Sequence, residues 1–184
     1  FAGHENEDGL LAGDLSRIAI DQAEIDRNGV SAALNAFYYK ALCDASAMAQ
    51  QIGNPDHAQQ FAGRAKAVQK VFESRFWDGE AGVFRDSYQD GSLSESVSQQ
   101  TNALAILFGL APKKVDDPVL AYLSNPENKA IEATPYFSFY WLNALCKANR
   151  QGDVLTVMGQ RWGKMLDGGS ASLWETWDGR LSHC

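Results

Sequence analysis

Apolar residues recur at three- and four-residue spacing through much of the chain, which is the period of an α-helix with one buried face. The pattern predicts helices over 30–52 and 56–76, joined by Gly53-Asn54-Pro55, which ends one helix and begins the next. Because this connection is short, the two helices should be antiparallel neighbours. The same pattern predicts helices over 96–110, 119–123, 135–148 and 153–166, with Pro135 near the start of one and Asp153 capping the last.

The predicted helices form three pairs, 30–76, 96–123 and 135–166. The first helix of each pair is richer in alanine, asparagine and aromatic residues, whereas the second carries more charge. This asymmetry indicates an all-α fold in which inner helices are wrapped by outer ones. The stretch 77–95 between the first two pairs is predicted to be non-helical, with a short strand at 82–85 between turn signals.

The long connections, 14–29, 77–95, 124–134 and 167–184, all precede inner helices or close the chain, so they should gather at one end. Acidic and aromatic residues lie on or beside them: Asp21, Glu24, Asp26, Asp90, Glu95, Tyr136, Trp174, Glu175 and Trp177. A cleft for a carbohydrate needs such a collection of acids and aromatic rings. Exposed loops are polar in most proteins, which explains many of these acids without any function.

The chain has one stretch in which two indoles flank a carboxylate, Trp174-Glu175-Thr176-Trp177. A carboxylate beside aromatic rings has a pKa that its surroundings can shift, and the rings can receive the apolar face of a sugar. This arrangement suits glycoside chemistry, in which carboxylates act as acid and base. The structural alternative is that both indoles are core residues and that Glu175 caps a helix or pairs with Arg180.

Composition excludes several classes of protein. The 184 residues are 45% hydrophobic and 21% charged, which is typical of a globular domain. The formal net charge of −7 argues against nucleic acid and anionic membranes as partners, and no apolar run is long enough to span a bilayer. The three cysteines and three histidines are scattered, so neither a disulfide framework nor a metal site is expected, and we expect no cofactor. The compartment stays open.

The chain begins with Phe1 inside a loop-like stretch and ends after a polar loop. We therefore expect residues 1–184 to be a fragment of one catalytic domain, cut at both ends, whose partner is the remaining part of that domain.

Several blocks of the sequence resemble, in the same order, the bacterial α-L-rhamnosidases of the inverting six-hairpin glycosidase group. The blocks begin with Asp26-Arg27-Asn28-Gly29-Val30, Ser98-Gln99-Gln100-Thr101-Asn102, Thr134-Pro135-Tyr136, Arg161-Trp162-Gly163-Lys164 and Ser172-Leu173-Trp174-Glu175-Thr176-Trp177. Each block alone is weak, because helical alanine–leucine patterns are common. Together they cover most of the chain and make the resemblance specific.

The resemblance implies an (α/α)6 toroid, of which this chain is about the later half, acting on terminal α-L-rhamnosides. It implies that Glu175 is the general base, and Asp21, Tyr136, Trp174, Trp177 and His183 are the candidates for substrate contacts. The general acid of the family lies in an acidic motif upstream of the region that matches here. One position departs from the family, because a tryptophan usually follows the aspartate that corresponds to Asp21, and here Gln22 follows it.

Three other functions stay open. A glucoamylase- or trehalase-like hydrolase would share the fold, since fold does not determine substrate. A polysaccharide lyase would need a histidine–tyrosine or tyrosine–arginine pair at the loop end, and the sequence indicates no such pair. A non-catalytic helical-repeat binding module should show a fixed period, whereas the connections here differ in length and no motif repeats.

Overall fold

The fold is described from a computed structural model, which covers residues 3–13 and 18–179. Over this part of the chain 54% of the structure is helical, in six α-helices and two short 3₁₀ turns. The helices are α1 (Ala32–Gln51), α2 (Pro55–Phe76), α3 (Gln99–Phe108), α4 (Asp116–Ser124), α5 (Ser138–Lys147) and α6 (Gln151–Asp167). Short 3₁₀ turns, Lys113–Val115 and Pro126–Asn128, precede and follow α4.

The helices pack as the three predicted pairs, α1 with α2, α3 with α4, and α5 with α6. The first helices of the pairs also contact one another in sequence, α1 against α3 and α3 against α5. Aromatic rings join these three helices, because Phe37 of α1 lies 5.9 Å from the ring of Phe108 and 5.4 Å from that of Tyr140. The prediction of a mainly helical fold is confirmed, and residues 99–106 of the first helix of the second pair, α3, are all buried.

Five short strands lie around the first helix pair: β1 (Val30–Ser31), β2 (Trp77–Asp78), β3 (Val83–Phe84), β4 (Ser87–Gln89) and β5 (Ser92–Leu93). All pairings are antiparallel, with β2 against β3 and a three-stranded sheet in the order β1, β4, β5. Strand β3 confirms the strand predicted at 82–85. The three-stranded sheet was not predicted, because strands of two or three residues are too short to show an alternating pattern.

Two buried asparagines attach extended segments to the first turns of α1 and α3. Asn35 accepts a hydrogen bond from the backbone N–H of Leu11 at 2.7 Å and donates to the carbonyl of the same residue at 3.0 Å. Asn102 does the same with Phe84, with both distances 2.9 Å. Each amide also donates to the carbonyl of the serine that caps its helix, four residues earlier. Asn35 and Asn102 thus have a structural reason: each one pairs the backbone N–H and carbonyl of one residue in an extended segment.

Several predicted helix starts are wrong by two or three residues, since α1, α3 and α4 begin at Ala32, Gln99 and Asp116 rather than at 30, 96 and 119. Helix α5 begins at Ser138, and Pro135 lies in the turn before it rather than at its first position. Helix α6 begins at Gln151, and Asp153 lies inside its first turn, where it pairs with Arg150 at 2.5 Å instead of capping the helix. An aspartate at the cap and an aspartate in the first turn both place a negative charge near the helix N-terminus. The sequence alone therefore does not distinguish the two positions. None of the described helices has the length and apolarity needed to cross a membrane.

Candidate active site

Three residues singled out in the sequence line one cavity of about 420 Å³. They are Asp21, Tyr136 and Glu175, which come from three different connections and are joined in the lining by Ala19, Ile20 and Gln22. Residues 21 and 175 are separated by most of the chain, so only the packing of the helix pairs brings them together. The prediction that the long connections gather at one end is confirmed for these segments.

Asp21 is held by four hydrogen bonds. One carboxylate oxygen accepts from the side chain of Gln100 at 2.6 Å and from the backbone N–H of Thr134 at 3.0 Å. The other accepts from the backbone N–H of Gln22 at 2.8 Å and from the hydroxyl of Thr134. Because a carboxylate offers about four acceptor positions, these donors use its full capacity. Asp21 therefore joins the rim of the cavity to α3 and to the segment before α5.

Glu175, Tyr136 and Gln22 are the exposed polar residues of the lining. Glu175 is exposed on the loop that follows α6, and Tyr136 is 69% exposed. In the described residues Glu175 does not cap a helix, and Arg180, the alternative ion-pair partner, lies outside them. A carboxylate and a phenol on the wall of an open cavity can accept and donate hydrogen bonds to a polar ligand.

The loop of Glu175 is built on the ring of Trp174. A Cβ atom on Gly179 would lie 3.5 Å from this ring, and one on Gly168 would lie 3.7 Å from it. Gly179 also has a φ of +72°, in the left-handed region that side chains rarely adopt. Glycine at 179 thus lets the chain turn closely over the indole, which gives Trp174 a packing role beside the cavity.

Trp177 packs on the other side of the loop. Its Nε1 donates to the carbonyl of Ala133 at 2.7 Å, and its ring meets the edge of Trp162 at 4.9 Å between centroids and 88° between planes. Among the described residues, neither Trp174 nor Trp177 belongs to the lining of the Glu175 cavity. Both indoles are half-buried and pack within this loop and against α6, and neither belongs to the buried core, as the structural alternative had it. His183, the remaining candidate for a substrate contact, lies outside the described residues.

The other acids of the connections lie elsewhere. Glu24 is exposed, and Asp90 is the turn residue between β4 and β5, with a φ of +50°. Burial by itself would raise the pKa of the Asp26 carboxyl. Hydrogen bonds from Ser94, Asn28 and Ser87 outweigh that effect and hold the pKa below its usual range. Asp26 thus ties the loop before α1 to the strands that follow α2.

A buried carboxyl that sequence reasoning missed lies beneath these strands. Asp86 is 1% exposed and accepts from the hydroxyls of Ser96 at 2.6 Å, Ser98 at 2.5 Å and Thr101 at 2.5 Å. Burial raises the pKa of Asp86, and the three hydroxyl donors oppose that rise. The alternating serines at 94, 96 and 98, just before α3, were the available signal, because serine hydroxyls near a helix start commonly make local hydrogen bonds. Asp86 does not line the Glu175 cavity.

Within the part of the chain that the structure describes, no three histidine, cysteine or acidic side chains come together in a way that could hold a metal ion.

The chain is similar to known proteins over nearly its whole length. The model of the bacterial alpha-L-rhamnosidase 6 hairpin glycosidase domain matches residues 10–183. The chain belongs to this family. The match covers nearly the whole chain, including the loop that carries Glu175 and both indoles.

Two solved structures share the fold. The GH78 family rhamnosidase of Bacillus sp. GL1 is 32% identical over 94% of this chain, with a TM-score of 0.84. A rhamnosidase from Klebsiella oxytoca with rhamnose bound is 19% identical over 94% of this chain, with a TM-score of 0.79. The chain spans only 18% and 32% of the lengths of these two proteins. No curated protein matches it significantly.

Proposed function

We propose that this chain supplies the general base, Glu175, to the catalytic domain of an inverting α-L-rhamnosidase. The observation that carries the proposal is that Glu175 shares one cavity with Tyr136 and with a fully hydrogen-bonded Asp21. Membership of the rhamnosidase six-hairpin family and the likeness to a structure with rhamnose bound support a rhamnoside as the substrate. The substrate is a terminal α-L-rhamnose on a glycoside or polysaccharide.

In this mechanism Glu175 acts as a carboxylate. It takes a proton from a water molecule while the water oxygen forms a bond to the anomeric carbon from the face opposite the leaving group. The bond from that carbon to the glycosidic oxygen breaks, and the leaving oxygen receives a proton from a carboxylic acid. Inverting enzymes hold the two carboxyl groups about 6.5–9.5 Å apart, so that the water fits between base and sugar. The resemblance implies that this acid lies upstream of the present chain.

The other residues of the cavity bind and orient the sugar. Tyr136 offers an exposed ring and a hydroxyl, which suit the apolar face and a hydroxyl of a pyranose. Asp21 has its acceptor positions filled by protein donors, so we assign it the task of keeping the rim in place. Trp174 and Trp177 fix the position of the loop that carries Glu175.

The finer architecture is also part of the proposal. The three helix pairs, with their first helices in contact, supply three of the six hairpins of an (α/α)6 toroid. The remaining hairpins, and the general acid, belong to the rest of the same catalytic domain. The unequal connections between pairs favour this assembly over a regular helical repeat.

The test replaces Glu175 by glutamine in the full-length protein that contains this chain. Turnover of an aryl α-L-rhamnoside should fall about 10²- to 10⁴-fold, because glutamine cannot accept the proton. Glu80→Gln is the matched control, since Glu80 is an exposed glutamate in the turn between β2 and β3. Near-normal turnover by folded Glu175→Gln would refute the assignment. An aryl α-glucoside, assayed in parallel, separates a rhamnosidase from a glucoamylase-like enzyme.

A further inference from the structure

We infer that Arg161 is a positioning residue for the base: it holds Trp177, and through it Glu175, at a fixed place relative to Asp21. The inference rests on the proposed role of Glu175. It concerns a side chain on α6 that does not line the Glu175 cavity.

Arg161 clamps the indole of Trp177 from one face. The guanidinium carbon lies 5.1 Å from the centroid of the Trp177 ring, within the range of a cation–π contact. Its Nη2 pairs with Glu132 at 2.7 Å. The edge of Trp162 meets the same indole at 4.9 Å. The ring of Trp177 is thus held by two side chains of α6.

The clamped indole is linked to the rim of the candidate active site. Trp177 Nε1 donates to the carbonyl of Ala133, and the N–H of Ala133 donates to Gln99 of α3 at 2.9 Å. The next residue, Thr134, donates to Asp21 through its N–H and its hydroxyl. Only Thr176 lies between Trp177 and Glu175 in the sequence. A continuous path therefore runs from Arg161 through Trp177 and the 132–134 segment to both walls of the cavity.

Several other hydrogen bonds of the Glu175 loop return to the end of α6 or stay within the loop. The N–H of Gly168 donates to Lys164, the N–H of Ser170 donates to Met165, and the Thr176 hydroxyl donates to Asp178. These bonds shape the loop without setting its distance from Asp21. The contact of Trp177 with Ala133 does set that distance, and Arg161 holds the ring that makes it.

A different role for Arg161 would be to bind a ligand in the separate cavity of about 410 Å³ that it lines with Gln160, Lys164 and Trp177. Nη1 of Arg161 has no hydrogen-bond partner in the described residues and is buried away from solvent. A solute in that open cavity would not reach this donor. Because Nη1 is buried beside the indole, its position favours a role in holding Trp177. In that role the face of the ring takes the place of a hydrogen-bond acceptor.

The experiment measures kcat and KM of the full-length enzyme on an aryl α-L-rhamnoside. Arg161→Ala should lower kcat about 10²-fold while KM stays nearly constant, because a small displacement of a catalytic group slows the chemical step. Arg161→Lys should recover only part of the loss, since lysine keeps the charge without the planar guanidinium. Arg150→Ala is the matched control, because Arg150 makes only a local ion pair at the start of the same helix.

A double variant separates positioning from a general structural effect. In the Glu175→Gln background, Arg161→Ala should lower the remaining kcat by less than about threefold, because the group it positions is already disabled. Equal losses in both backgrounds, or a raised KM with unchanged kcat, would overturn the inference. If Arg161→Ala does not fold, Trp177→Phe takes its place as the test. This change removes the indole N–H donor and makes the ring smaller, and it must lower kcat in the same way. Near-normal turnover by Glu175→Gln alone would instead refute the proposed function.

Discussion

Replacing Asn102 by alanine should destabilise the protein more than the size of the side chain suggests. Asn102 is completely buried, and its amide makes three hydrogen bonds, two to Phe84 and one to the carbonyl of Ser98. The Ser98 carbonyl keeps a second donor, the backbone N–H of Asn102 itself. In the variant, the backbone N–H and the carbonyl of Phe84 both lose their bonds to the Asn102 amide, and Phe84 is 0% exposed.

The magnitude follows from those two groups. A buried polar group left without a partner costs about 1–3 kcal/mol, so two of them cost about 2–6 kcal/mol. This is a large part of the roughly 5–15 kcal/mol by which a typical domain is stable. The matched control is Asn143→Ala, because Asn143 is exposed and donates only to the carbonyl one turn earlier, that of Phe139. That change should stay within about 0.5 kcal/mol.

The assay combines chemical denaturation with hydrogen exchange. In Asn102→Ala the denaturation midpoint should fall, and the backbone amides of 83–89 should exchange faster than in the wild type. Asn143→Ala should leave both unchanged. If the two variants unfold at the same denaturant concentration, or if the 83–89 amides keep their protection, the two hydrogen bonds to Phe84 do not stabilise this region as argued.

The other predictions concern pH and completeness of the site. The folded-state pKa of Asp26 is lowered, so its ionised carboxylate stabilises the folded protein above the unfolded pKa. This stabilisation is lost as the pH falls through the folded value. The folded-state pKa of Asp86 is raised, so its contribution is present below the unfolded pKa and is lost as the pH rises through the folded value. For Asp26→Asn and Asp86→Asn, the quantity to measure is the difference between the denaturation midpoint of the variant and that of the wild type. As the pH rises from acid to neutral, this difference should change in opposite directions for the two variants. Changes of the same sign would contradict the assigned causes. The 184-residue chain alone should not hydrolyse an aryl α-L-rhamnoside, because inversion needs two carboxyl groups and only Glu175 is identified here. Turnover at the level of the full-length enzyme would show that the acid lies within the chain.

The sequence alone predicted the helices and their pairing, and it supplied the candidate residues for the proposed chemistry. Helical periodicity is a local property, since residues three and four apart share one face whatever the rest of the chain does. The caps are local too, and Asn54 caps α2 through the N–H of His57, as the Gly53-Asn54-Pro55 signal indicates. Local signals were weakest at helix starts, where Pro135 and Asp153 each lie a few residues from the position that they were expected to occupy.

Only the tertiary structure decided what those residues contact. Asp21 receives its donors from Gln100 and Thr134, which lie 79 and 113 residues away. Nothing in the local pattern distinguishes such an aspartate from Glu24, which is exposed on the same connection. Likewise, the indole of Trp177 was an equally good candidate for a sugar platform until the contacts with Arg161 and Ala133 were visible. Hydrogen bonds and ring contacts depend on distances between elements, and those distances exist only after the helix pairs have packed against one another.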